Sequence, residues 1–271
     1  MPELPEVETT RRGIAPRLVG RTVARVVVRE PRLRLRVPRA LVRELPGQTF
    51  RAIERRAKYL LLRTDTHTAI LHLGMSGSVR IVPCETPPAL HDHVDIVLDD
   101  GACLRLRDPR RFGVLLWTKD DPRKHKLLHD LGPEPFEDAF SDEYLHRVTR
   151  GRRVAIRDLL LNSRIVAGVG NIYANEALFL AGIRPTRAAG RLKREDCERL
   201  VPAVRETLAQ AIEAGGTTLR DFMNADGLPG YFQQTLSVYD RAGKPCPRCA
   251  TPIRGRRLGQ RSAYYCPRCQ A

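Results

Sequence analysis

No stretch of the chain comes near the roughly 18 consecutive apolar residues of a membrane-spanning helix, which excludes a helical membrane protein. The opening Met1-Pro2-Glu3 is acidic where a secretory leader is basic, so no leader is expected and the protein is expected to be cytosolic. Its seven cysteines are then expected as thiols rather than disulfides. Cys84, Cys103 and Cys197 stand alone, without a partner at a ligand-like spacing, and are expected as small core hydrophobes. Acidic residues are also scarce: 31 Asp plus Glu face 47 Lys plus Arg, a formal charge of +16. The basic residues run from Arg11 to Arg268 instead of gathering in one tail, so a polyanion, nucleic acid first, is the expected partner. Arg far outnumbers Lys, so coding bias is the competing explanation of that excess.

The 271 residues suffice for two compact units, or for one large domain with a small appendage, that bury a core without disulfides. After a helix-like opening, the chain from residue 22 to about 117 reads as antiparallel strands. They include Val23 to Val28, the alternating Arg32-Leu33-Arg34-Leu35-Arg36-Val37, Tyr59 to Leu62, and Ala69 to Leu73. Val94 to Leu98 and Cys103 to Arg107 flank Asp99-Asp100-Gly101 and predict a hairpin, with Arg105 and Arg107 on one face. Pro122 to Pro135, loose in Pro, Gly and charge, is the expected interdomain connection. Helical spacing follows: Tyr144, Leu145 and Val148 after Ser141; Ile156, Leu159 and Leu160; Asn171 to Ala181; and Glu195 to Ala214, stopped by Gly215-Gly216.

Near the C-terminus, Cys246-Pro247-Arg248-Cys249 recurs as Cys266-Pro267-Arg268-Cys269 after sixteen residues. Two CxxC pairs at this spacing fit a closed tetrahedral thiolate site, for which one structural Zn²⁺ is expected, the alternatives being an iron–sulfur site or a redox dithiol. The intervening segment, Ile253 to Tyr265, is rich in arginine and predicts a hairpin. It is either a structural clip for the chain end or a basic finger against DNA phosphate, and its arginine density favours DNA.

A wider resemblance joins these pieces. Met1-Pro2-Glu3-Leu4-Pro5-Glu6-Val7-Glu8-Thr9 resembles the opening of formamidopyrimidine-DNA glycosylases. Arg56 to Leu60, His72-Leu73-Gly74-Met75-Ser76-Gly77, His91-Asp92-His93-Val94, Asp108 to Gly113, Gly168 to Tyr173 and the zinc module follow in that family's order. The resemblance implies an α+β fold: an N-terminal antiparallel β-sandwich domain with an N-terminal helix, then a helical helix–two-turn–helix domain ending in a zinc-bound β-hairpin. Boundaries are expected at residues 2–131, 132–235 and 236–271. It also implies base-excision repair on double-stranded DNA carrying oxidised purines (8-oxoguanine, formamidopyrimidines) or abasic sites. The enzyme would be a glycosylase and abasic-site lyase, a monomer with no organic cofactor and no membrane partner.

The implied roles make chemical sense residue by residue. Removal of Met1 would leave Pro2 with a secondary amine whose pKa lies near the ~8 of an ordinary α-amino group, able to attack a sugar carbon and form a cationic Schiff base. Taken without the other motifs, Pro2 would do no more than permit trimming of Met1. Glu3 is suited to protonate the sugar ring oxygen or to shuttle the amine proton. Glu6, one helical turn on, either supports that site or serves the helix N-terminus. Lys58, in a strand-like run, is implied to contact the lesion and backbone and assist elimination; the competing reading is a solvated lysine. Arg261 on the finger is implied to hold the phosphates flanking the lesion and aid the second elimination.

Met75, Arg110 and Phe112 match the residues that fill the void left by a flipped base. Met and Phe are more often core residues, but the glycines flanking Met75 favour an exposed probe. His91, Arg110, Arg153 and Asn171 fall at DNA-contact positions; the plainer reading of Asn171 is a helix cap, which is compatible with phosphate binding there. Arg157 stands where relatives commonly carry Lys and is a candidate determinant of base preference. Residues 217–231 resemble a lesion-covering loop whose glycines imply mobility. The rival readings are an endonuclease VIII-like glycosylase for oxidised pyrimidines and a non-enzymatic zinc-ribbon DNA-binding protein. Met75, Arg110, Phe112 and the 217–231 segment count against the first, and Pro2, Glu3 and Lys58 against the second.

Overall fold

The computed structural model describes residues 1–216 and 236–271, which fall into two compact units. The first comprises residues 1–129 and the stretch from Ala214, and the second comprises residues 130–213 and the chain from Gln234 onward. Residues 217–231, the expected lesion loop, lie outside the described residues.

The first unit opens with helix α1 (Leu4–Leu18). Its start is written locally: Glu3 is the N-cap, Pro5 sits in the first turn, and the Glu6 carboxylate accepts the Glu3 backbone N–H at 2.8 Å, closing a capping box. Strand β1 (Val23–Val28) and the short helix α2 (Arg39–Glu44) follow. Seven more strands follow among the described residues of the unit: β2 (Phe50–Arg56), β3 (Tyr59–Thr64), β4 (Thr68–His72), β5 (Ser78–Pro83), β6 (Asp92–Leu98), β7 (Ala102–Arg107) and β8 (Val114–Thr118). They form two four-stranded antiparallel sheets, ordered β1-β6-β7-β5 and β2-β3-β4-β8.

Alternation turns Leu60, Leu62, Leu71 and Leu115 of one sheet and Val26, Val94, Ile96, Leu104 and Leu106 of the other into one core, which Val7, Ile14 and Leu18 of α1 join. The expected sandwich and the hairpin across residues 99–101 are present. Arg105, between Leu104 and Leu106, points to the face opposite that core, yet it is 1% exposed: Asp95 accepts from its Nε at 2.8 Å and from its Nη2 at 2.9 Å. That arginine is neutralised by a buried carboxylate.

The expected strand from Arg32 to Val37 is not one. The chain there bends back on itself, Val37 N–H donating to Pro31 O at 2.9 Å, so that only Leu33 and Val37 are buried. Arg-Leu alternation mimics a strand wherever a turn happens to bury every fourth residue. Cys103 and Cys197 are fully buried as expected, and burial pushes their thiols up to about 12 and about 11. Cys84 departs from expectation: it is only partly covered, at the end of β5, with its sulfur 3.2 Å from a Glu85 carboxylate oxygen.

The second unit carries α3 (Asp142–Thr149), α4 (Ile156–Leu160), α5 (Asn171–Leu180) and α6 (Arg194–Glu213). Ser141 caps α3 through the Tyr144 N–H at 3.1 Å, and Gly215 and Gly216, both at positive φ, follow α6. The chain ends in a hairpin of β9 (Arg254–Leu258) and β10 (Arg261–Tyr265).

Candidate active site and zinc hairpin

In the first unit, three turns gather the residues expected to act. Lys58 is not inside a strand: with Ala57, at φ 52°, it forms the two-residue turn between β2 and β3. Helix α1 is tied to this turn. The Glu8 carboxylate accepts from Arg55 Nε at 3.2 Å, and Arg55 Nη1 donates to Ala57 O at 3.0 Å. Glu8 also binds Arg11 at 2.8 Å and Arg12 at 3.0 Å, so one carboxylate with three guanidinium partners joins the helix start to the lysine turn. These charges hold Glu8 below its ordinary range although burial works the other way. Pro2, Glu3 and Glu6 are all buried beside them at the head of α1. Gly216, the last described residue before the 217–235 gap, lies against Glu6, with room of only 3.3 Å between an added Cβ and Glu6 Cγ.

His72, at the end of β4, links the lysine turn to the next loop. Its ring lies 4.7 Å from that of Tyr59, and its Nδ1 accepts the Gly74 N–H at 3.0 Å. Burial first, then the charges of Lys58 and Arg34, depress its pKa to about 4, so the ring is neutral and acts as an acceptor. Gly74, at φ +66°, begins the turn that carries Met75. A Cβ on Gly74 would stand 2.5 Å from the Phe112 carbonyl carbon, so this turn and the one from Asp108 to Gly113 are in backbone contact that only glycine allows.

Met75 and Phe112 are 39% and 43% exposed, unusual for large apolar side chains, and Arg110 lies with its guanidinium 4.9 Å from the Phe112 ring centre. The three expected void-filling residues therefore come together on one surface. His91, at φ 73°, is half-buried beside them: its carbonyl accepts the Asp108 N–H at 3.1 Å.

In the second unit, Arg153 is exposed on the loop before α4. Asn171 is not the cap of α5, a place taken by Gly170; it is the first helical residue, and its side chain is spent on the hairpin. Asn171 Nδ2 donates to Ser262 O at 3.0 Å and its Oδ1 accepts from Arg157 Nη1 at 3.1 Å, while Arg157 Nη2 donates to Leu258 O at 3.1 Å. Asn175 continues the seam, its Oδ1 accepting the Tyr264 N–H at 2.7 Å. Arg157 is 1% exposed, so direct contact with a base, the basis for expecting it to set lesion preference, is closed to it. Burial, and then Arg261 nearby, lower its pKa, offset by Asp158 at 3.1 Å. This seam grips both strands beside the turn that ends at Arg261, itself exposed with Ser262.

At the base of the hairpin, the sulfurs of Cys246, Cys249, Cys266 and Cys269 all lie within 4.8 Å of one another. The separations are 3.5 Å for Cys249–Cys266, 3.9 Å for Cys246–Cys269 and 3.4 Å for Cys249–Cys269. Tetrahedral thiolates about 2.3 Å from zinc stand about 3.8 Å apart, so the cluster fits that ion without rearrangement. Backbone N–H groups of Arg248 and Cys269 already point at Cys246 and Cys266 Sγ, each at 3.4 Å, as the outer shell of a thiolate site requires. Arg248 caps the C-terminal carbonyls of α5, Phe179 O at 3.2 Å and Leu180 O at 3.3 Å, and so fastens the cluster to the helix.

Sequence reasoning passed over the residues that aim these groups. Asp108, His72 and Ser76 lie inside motifs read for their neighbours, and Arg157 was weighed only as a base contact; buried acceptors carry no periodicity that would single them out.

Comparison with known proteins places the chain among relatives along its whole length. Residues 1–115 match the formamidopyrimidine-DNA glycosylase N-terminal domain, residues 131–223 the formamidopyrimidine-DNA glycosylase H2TH domain, and residues 243–271 the zinc finger found in FPG and IleRS. The chain is similar to the formamidopyrimidine-DNA glycosylase of Alkalilimnicola ehrlichii, 60% identical over 276 residues with all of both chains covered. Among solved structures it is similar to the MutM (Fpg) protein of Thermus thermophilus, with 40% identity, TM-score 0.89 and 99% and 98% of the two chains covered. It is also similar to Lactococcus lactis Fpg in complex with abasic-site DNA, with 34% identity, TM-score 0.92 and 99% of each chain covered.

Proposed function

Since the chain belongs to the formamidopyrimidine-DNA glycosylase family, we propose that it excises oxidised purines from double-stranded DNA through Pro2 and then cleaves the strand. The observation that carries the reading is the head of α1: Pro2 and Glu3 precede the helix, which Glu8 and Arg55 tie to the Lys58 turn. That is a nucleophile, an acid–base group and a cation on one scaffold.

Once Met1 is removed, the Pro2 nitrogen lone pair forms a bond to C1′ of the damaged nucleotide. The glycosidic bond breaks and the base leaves with its electron pair and takes up a proton from solvent, while the Pro2 nitrogen gives up its N–H proton to Glu3. Glu3 supplies the proton as the sugar ring opens, leaving an iminium between C1′ and Pro2. Loss of a C2′ proton then expels the 3′ phosphate, and a second elimination expels the 5′ phosphate; Lys58 assists the first departure and Arg261 the second. Glu6 supports the site by keeping the helix head and Glu3 in place. His91, Arg110, Arg153 and Asn171 serve DNA binding, the last through the seam it makes with the hairpin. Met75, Arg110 and Phe112 enter the stack that the damaged base vacates. Cys246, Cys249, Cys266 and Cys269 hold one structural zinc, which closes the hairpin and takes no part in the chemistry. Among the described residues no helix is long and apolar enough to cross a membrane, and the reading places the work on chromosomal DNA in the bacterial cytoplasm.

Mixing the protein with an 8-oxoguanine:cytosine duplex in borohydride tests this. The expected result is a reduced covalent adduct whose peptide maps to Pro2, with products phosphorylated on both sides of the gap. Trapping only on an oxidised pyrimidine would move the chain to the endonuclease VIII-like activity, and no adduct on either duplex would leave a binding protein.

A further inference from the structure

Asp108 is fully buried, so it cannot touch DNA, yet its groups reach both turns that carry the void-filling residues of the first unit and the His91 segment beside them. One carboxylate oxygen accepts the Ser76 hydroxyl at 3.1 Å, and the other accepts the Gly113 N–H at 2.7 Å. Ser76 is the residue after Met75, and Gly113 is the residue after Phe112. The Ser76 oxygen in turn accepts the Arg110 N–H at 3.3 Å, so the carboxylate acts on the arginine through one hydroxyl. The Asp108 main chain closes the set: its N–H donates to His91 O at 3.1 Å, and its carbonyl lies 2.8 Å from His93 Nε2. Ion pairing is not its task, because its carboxylate is matched to a hydroxyl and a backbone amide. A Cβ on Gly113 would stand 2.9 Å from Asp108 Oδ2, so glycine is what lets the carboxylate sit against that backbone.

The geometry points to Asp108 as the positioning residue that fixes the Met75, Arg110 and Phe112 side chains as one unit for insertion into the DNA stack. This deepens the function proposed above and rests on it. An ionised carboxylate suits the task because it is acceptor-only: it takes the Gly113 amide on one oxygen and compels the Ser76 hydroxyl to donate on the other. The Ser76 lone pairs are thereby left for Arg110. Asparagine can serve only one of those two donors. Exposed side chains need such a brace, since Met75 and Phe112 have little packing of their own to hold them before DNA arrives.

The consequence is selective. Base excision requires eversion of the damaged nucleotide and filling of the gap, whereas an abasic site has no base to expel from the stack. Asp108→Ala is therefore expected to slow single-turnover release of 8-oxoguanine by ~10²-fold, the scale of a small misplacement of working groups. Cleavage of a preformed abasic duplex at saturating protein, where weaker binding through Arg110 no longer limits the rate, should stay within about threefold of the wild type. Ser76→Ala, which keeps the Gly113 bond and cuts the route to Arg110, is expected to lose about tenfold in base excision alone, and Asp108→Asn should fall between the two. If far-UV circular dichroism shows Asp108→Ala to be unfolded, Asp108→Asn and Ser76→Ala carry the comparison. Equal losses in both activities, or no loss in either, would overturn the assignment. Failure of the wild-type protein to act on either duplex would instead overturn the proposed function.

Discussion

A histidine that works as a hydrogen-bond acceptor is a proton-sensitive part. His72 takes the Gly74 N–H on Nδ1, and burial with two nearby cations depresses its pKa to about 4 from an ordinary 6.5. Between those values the unfolded chain holds a proton on this residue that the folded chain does not. Unfolding free energy therefore falls as pH drops from 6.5 towards 4, by about 3 kcal/mol for a shift of this size, and the contribution is flat above 6.5. Urea unfolding followed across pH 4 to 7.5 is expected to show that slope in the wild type and to lose it in His72→Gln, whose amide oxygen can still accept from Gly74. A slope that persists unchanged in the variant would assign it to other groups. The residues proposed to carry the chemistry stand out at this scale because their proposed roles rest on type and order: a proline behind the initiator methionine, a glutamate beside it, a methionine in a glycine-flanked loop. His72 and Asp108 do not, because a buried acceptor is defined by which backbone amide it meets, and strand pairing decides that.

Elements here are joined by short polar seams, and the seam between α4, α5 and the hairpin is the most consequential. Arg157 and Asn171 grip Leu258 O and Ser262 O on opposite strands, two bonds whose lengths fix the turn ending in Arg261. Lysine cannot reach two acceptors with a planar fork, so Arg157→Lys is expected to keep one bond and loosen the turn. The expected cost is about 1 kcal/mol of stability, with hydrogen exchange of the β9–β10 amides raised and that of α6 unchanged. In activity, Arg157→Lys should slow the second elimination more than base release, read as accumulation of the product of the first; equal effects on both steps would make the seam structural only. The elements themselves were largely visible beforehand. Both sheets, the Ser141 cap and the stop at Gly215 follow from alternation and turn chemistry. What misled was Arg32 to Val37, where period-two alternation is met by a bend that buries Leu33 and Val37, and Asn171, whose tertiary bonds displaced the local capping role.

At the scale of the whole molecule, the +16 charge sets how binding responds to salt, and zinc sets how much of that charge is organised. Each phosphate neutralised releases counterions, so the logarithm of the binding constant should fall with log salt by about 0.9 per contact. Arg254, Arg256, Arg257 and Arg261 stand exposed on a hairpin too small to bury a core of its own. Its packing is a small cluster of Phe179, Val238, Ile253, Cys246 and Cys266, with Tyr264, Cys249 and Cys269 packed against it. Without the ion, that cluster loses the ligand bonds that close it, and the four arginines lose their common geometry. Chelation, or Cys249→Ser, is expected to weaken binding to an abasic-site duplex and to flatten the salt slope by up to about 3.6, one contact's worth for each arginine released. Binding measured by anisotropy between 50 and 200 mM salt, roughly the range over which such slopes are read, separates the outcomes. Weaker binding with an unchanged slope would mean that zinc supports the fold while the hairpin arginines contact no phosphate. A flattened slope with the strand-cleaving chemistry on abasic DNA retained at saturating protein would place the arginines on the backbone and the first elimination in the other unit.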